Sequence, residues 1–128
     1  PCFAPIYDTA RGLLWNEHEE NLARFQGKEG ATKLEKYLRE SKPRIGWEGE
    51  KDPNHFELAL LLYQTRPDFR FIFDEILTPE HAEAAHALLE REFQKLFSPS
   101  RYELIKNCLN LRIQKLTGII NQIKKEER

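Results

Sequence analysis

The chain has 128 residues, 40% of them hydrophobic and 32% charged, which fits one globular domain rather than a disordered segment. Twenty basic residues against twenty-one acidic ones leave a net charge of -1, so no electrostatic footprint for DNA, RNA or an anionic membrane is present. No apolar run approaches the ~20 residues of a membrane span, and no signal-peptide pattern opens the chain; the expected location is the cytoplasm.

The opening Pro1-Cys-Phe-Ala-Pro-Ile-Tyr-Asp8 is apolar and interrupted by prolines. Proline removes a ladder donor, so the segment reads as a short extended arm that needs another body to lie against. Six helices are predicted after it, at 17–26, 32–41, 54–65, 68–77, 79–97 and 101–126. Their starts carry helix-capping signals: Asn16 with Glu19, Thr32 with Glu35, Asn54 with Glu57, Ser100 with Glu103, and Thr78-Pro79-Glu80. Gly27 and Gly30 are expected to end the first helix and turn the chain into the second. Between Lys42 and Pro53, two prolines and two glycines block regular structure. Trp47 in that loop is expected to pin it to the core, with a ligand role as the alternative.

In the fifth helix Ala85, Leu89, Phe93 and Leu96 recur at steps of three and four, and the stripe is expected to face a core. In the last, Tyr102, Ile105, Leu109, Ile113, Leu116, Ile120 and Ile123 form a stripe some six turns long. The predicted fold class is therefore mainly α: a bundle of about six helices behind a short extended arm, one domain over 1–128. A helix-turn-helix DNA binder is disfavoured, because no basic recognition helix is present.

Cys2 and Cys108 lie at opposite ends without ligand spacing, and are expected to be unpaired, packed thiols. His18, His55, His81 and His86 are expected to be solvated or capping; His81 and His86, five apart, diverge around a helix and make no metal pair. No phosphate-cradling glycine loop and no nucleophile elbow occurs.

The strongest chemical signal is Asp8. A carboxylate at the end of an extended segment, with Arg11 three residues on, suits a hard cation such as Mg²⁺ bridging to phosphates; the plain alternative is a turn residue with its ion-pair partner. Ala4-Pro5-Ile6-Tyr7-Asp8, continued by Thr9-Ala10-Arg11-Gly12-Leu13, resembles the metal-binding segment of HipA-like serine/threonine kinases. The resemblance implies that Asp8 is a Mg²⁺ ligand at the ATP phosphates, with Arg11 beside them, and that the helices are part of a kinase C-terminal lobe. It also implies that the ATP-gripping N-terminal lobe, its lysine, the base Asp and the second metal-ligand Asn lie upstream. Seven residues cannot hold them, so the chain is expected to be a fragment or truncated product, inactive alone. The implied partners are the missing lobe and an antitoxin or protein substrate. A free-standing helical interaction module is the competing expectation.

Overall fold

The computed structural model describes residues 14, 16–43, 46–50 and 52–128. Its described elements are a 3₁₀ helix, Glu19–Phe25, and five α-helices: α1 (Gly27–Glu40), α2 (His55–Thr65), α3 (Arg70–Ile76), α4 (Pro79–Leu88) and α5 (Pro99–Glu126). A short 3₁₀ turn, Pro67–Phe69, leads into α3, and a π turn (Leu89–Phe93) and a 3₁₀ turn (Gln94–Leu96) follow α4. The mainly helical class read from the sequence holds, and no strand forms among the described residues beyond an isolated Trp47–Glu50 bridge.

Two of the capping signals act as expected. The Asn54 side chain accepts from the backbone N–H of Phe56 and Glu57, while the Glu57 carboxylate accepts from the N–H of Asn54 at 2.7 Å. Thr78 Oγ1 accepts from His81 N at 3.2 Å, with Pro79 in the first turn. The others are displaced. Thr32 sits inside α1, its hydroxyl donating to the Lys28 carbonyl, because α1 already begins at Gly27. At the start of α5 Ser98, not Ser100, accepts from Arg101 N, leaving Pro99 at the first helical position where its missing N–H costs nothing. Asn16 is likewise not the cap of the first helix; His18 stands there and makes no side-chain cap.

The glycines divide the turn between them. Gly27 has φ +68, the left-handed conformation that lets the chain reverse between the 3₁₀ helix and α1. Gly30 does not end a helix. It lies buried in α1, and a Cβ there would sit 2.0 Å from the Phe25 carbonyl carbon. Absence of a side chain is what lets the 3₁₀ helix lie directly on α1.

α5 is the spine, about 42 Å long for 28 residues. Its N-terminal half gives Leu104 and Cys108 to a core with Leu14, Leu22, Leu34 and Leu38, flanked by Phe25, Tyr37, Phe56 and Leu111. Its C-terminal half gives Ile120 and Ile123 to a second, smaller core around Tyr63, with Phe73 and Leu77 of the α3 region. Tyr63 and Phe73 meet edge to face, 5.5 Å between ring centres. Arg70 closes this end: its guanidinium lies 4.6 Å above the Tyr63 ring, donates to the Tyr63 carbonyl, and forks onto the Glu127 carboxylate at 2.7 and 2.9 Å.

The expectation for the fifth helix needs correction. Its extent holds, helical without a gap from Pro79 to Leu96, but it passes from α to π and then 3₁₀ geometry after Leu88, and its stripe faces a core only in part: Ala85 and Leu89 are half-buried, but Phe93 and Leu96 are exposed. The π turn shifts the register, and every residue from Glu90 to Leu96 faces solvent.

Candidate functional site

Asp8 and Arg11, the residues to which a Mg²⁺ and phosphate role was ascribed, lie outside the described residues, as does Cys2. What the structure does describe is how the chain is held immediately after that segment. Leu14 is wholly buried in the larger core and takes a left-handed backbone, φ 63, which is uncommon for a side chain of its size. Its carbonyl accepts from the N–H of Glu17 and from Arg101 Nη1 at 3.1 Å.

Arg101 does more than bind Leu14. Its Nη2 donates to the Glu17 carbonyl, and its Nε donates to the Glu19 carboxylate at 3.0 Å. The other Glu19 oxygen accepts from Ser98 Oγ at 2.6 Å. Ser98 thus caps α5 and fastens Glu19 at once. The Arg101 side chain is only 13% exposed, so its bonds to the two carbonyls are made where water competes poorly, whereas the Glu19 carboxylate stays open to solvent. The Ser98 hydroxyl, and then Arg101, hold the Glu19 carboxyl below its ordinary range. The planar fork of Arg suits this task, since a Lys point charge cannot reach three acceptors in fixed directions. Glu17 is also tied sideways, its carboxylate accepting from Arg24 at 2.5 Å.

In sequence, Arg101 is one of several cations offset from the apolar stripe of the last helix. Its role depends on a partner more than eighty residues away, and the signal that was available is the Ser-Pro-x-Arg run, which places a cap and a cation on the first turn of α5.

Beside the clamp, a groove of about 580 Å³ runs between the 3₁₀ helix, α1 and α5. Leu22, Phe25, Leu34 and Leu104 floor it, and Asn107, Asn110 and Gln114 stand along its α5 side at steps of three and four. Such a mixture of apolar floor and carboxamide edge can bury side chains while matching backbone donors and acceptors.

The remaining sequence candidates are accounted for singly. Cys108 is unpaired and buried, and burial pushes its thiol up despite the nearby Arg112 guanidinium, so it is an inert packed residue rather than a nucleophile. His18 is exposed, His55 Nδ1 bonds the Ser41 carbonyl at 2.9 Å, and His81 sits at the Thr78 cap. His86 departs from expectation: both ring nitrogens are buried with no hydrogen-bond partner among the described residues. Trp47 is half-buried at a tight turn closed by Glu50 N donating to its carbonyl. Among the described residues no three His, Cys, Asp or Glu side chains gather to hold a metal, and no helix is long and apolar enough to cross a membrane. Compared with family models, curated proteins and solved structures, the chain matches none.

Proposed function

We propose that this chain is the C-terminal-lobe portion of a HipA-like serine/threonine kinase, and that its helical body holds the Asp8 segment in place for transfer of the ATP γ-phosphoryl group to a protein hydroxyl. The observation that supports this most is the Arg101 clamp, which fixes the main chain at Leu14, six residues beyond Asp8 and three beyond Arg11. Phosphoryl transfer depends almost wholly on positioning and charge neutralisation, and a ligand on a loose arm contributes little. A main chain tied to the 28-residue helix α5 at Leu14 supports that reading.

Asp8 would give Mg²⁺ one carboxylate, and Arg11 would face a phosphate. Mg²⁺ takes six ligands, so a single carboxylate leaves it largely hydrated. The described residues add no cluster of acids to that one ligand. The ATP-gripping lobe, its lysine, the base and the second metal ligand come, in this reading, from polypeptide outside this chain. The chain alone is then without turnover and binds Mg²⁺–ATP weakly.

The test is Asp8→Asn in the intact kinase, which removes charge with little change of shape. Loss of phosphoryl transfer with an unchanged circular dichroism spectrum is expected; retained turnover overturns the assignment.

A second reading, a free-standing helical interaction module, is favoured by the open groove between α1 and α5. The coding sequence upstream of Pro1 separates the two. An in-frame lysine-bearing strand with an Asp-x-x-x-x-Asn loop supports the kinase; a start codon directly before Pro1 supports the module.

A further inference from the structure

The stretch that links α4 to α5 is helical, apolar on one side, and covered by nothing among the described residues. Phe93 is 42% exposed and Leu96 73% exposed, with half-buried Leu89 completing a row at steps of four and three. Residues so spaced share one helix face. Glu92 and Lys95, three apart, lie together along one flank of that row, and both are exposed. A large apolar row flanked by charges of opposite sign is a surface built for a partner rather than for water.

We infer that this face pairs with its own counterpart on a second copy of the chain, antiparallel about a two-fold axis between Phe93 and Gln94. The charge pattern selects this occupant. A two-fold axis there brings Glu92 level with the partner's Lys95, and the same contact is made twice because the interface is isologous. Each Phe93 then lies against the partner's Phe93. Each Leu96 falls between the partner's Leu89 and the partner's Phe93, the knob-into-hole arrangement of packed helices. A parallel pairing would instead carry the Glu92 and Lys95 flanks of the two copies to opposite sides of the interface, where they do not meet. Glu92 already accepts from Arg91 Nε at 2.6 Å through Oε1, which leaves Oε2 for the intermolecular lysine.

An interface of two short helical stretches is below the area of a permanent dimer, so the pair forms reversibly and at high concentration. Sedimentation velocity of the chain between roughly 20 µM and roughly 1 mM should show a monomer–dimer equilibrium. Leu96→Glu should abolish the dimer without altering the circular dichroism spectrum. Glu92→Lys alone and Lys95→Glu alone should each weaken association about tenfold, and the double exchange Glu92→Lys/Lys95→Glu should restore it to within about twofold. A chain that stays monomeric throughout the range, a Leu96→Glu dimer as strong as the parent, or a double exchange as weak as the single ones would each overturn the proposal.

Discussion

One substitution, made at two glycines, tests the packing argument because the two outcomes have opposite signs. At Gly30 a Cβ would lie 2.0 Å from the Phe25 carbonyl carbon and 2.2 Å from its oxygen. Both are backbone atoms, so no side chain can swing aside. The 3₁₀ helix must move off α1 by well over an ångström, loosening Leu22 and Phe25 against Leu34 in the larger core. Alanine favours a helix interior over glycine by about 1 kcal/mol. Opening a packed contact of two or three large side chains costs about 3–5 kcal/mol, so Gly30→Ala should destabilise by about 2–4 kcal/mol net. At Gly118, inside α5, nothing lies within 4 Å of the added methyl. There the helix preference acts alone, and Gly118→Ala should stabilise by about 0.5–1 kcal/mol. Urea denaturation of both variants, followed by circular dichroism with a common slope, reads the difference. A Gly30→Ala protein as stable as the parent would refute the close contact between the 3₁₀ helix and α1.

Further expectations follow from the clamp and the cores. Arg101→Met should lower stability by about 2–4 kcal/mol in urea denaturation, since it strips the Leu14 and Glu17 carbonyls of their donors while keeping the apolar stem. On the acid side, Glu19 is a group whose folded-state pKa is depressed, so its contribution is present above the ordinary carboxylate range and lost as pH falls from there through the lower folded-state value. The urea midpoint should fall with acidification over that window, and less steeply in Glu19→Gln. His86→Phe should raise the melting temperature, by a stability gain of about 1–2 kcal/mol, because it replaces two buried unpaired nitrogens with carbon of similar shape. Ile113→Asp, at a half-buried position on the α5 stripe, should lower stability by several kcal/mol (about 2–4) when measured the same way.

Most of the helical architecture could be read from periodicity and caps, because those signals are local. Asn54 with Glu57, and Thr78 with Pro79, fix helix starts within four residues, and both act as read. The errors share a cause. Thr32 and Ser100 carry the same local pattern as true caps, but tertiary packing decided the boundary. At α1 the close approach of Gly30 to Phe25 draws the helix start back to Gly27; at α5 Pro99 fixes the first turn one residue before Ser100. Likewise the 79–97 periodicity is continuous in sequence, yet the π turn at Leu89–Phe93 breaks the register, and nothing in residue spacing announces that.

The site was less legible for a different reason. Asp8 and Arg11 stand out because charged residues in an apolar arm are conspicuous, and the resemblance rests on the ten residues around them. The groups that fasten the main chain at Leu14 are spread over Glu17, Glu19, Ser98 and Arg101, and only folding brings them together. Read along the chain, Arg101 is one more cation on the outside of a charged helix. Read in space, it donates to two backbone carbonyls and to the exposed Glu19 carboxylate, at a point where Leu14 holds an unfavourable backbone angle. Removing the guanidinium would therefore release that angle as well as three hydrogen bonds. The clamp therefore contributes more to the fold around Leu14 than the place of Arg101 on the first turn of α5 suggests.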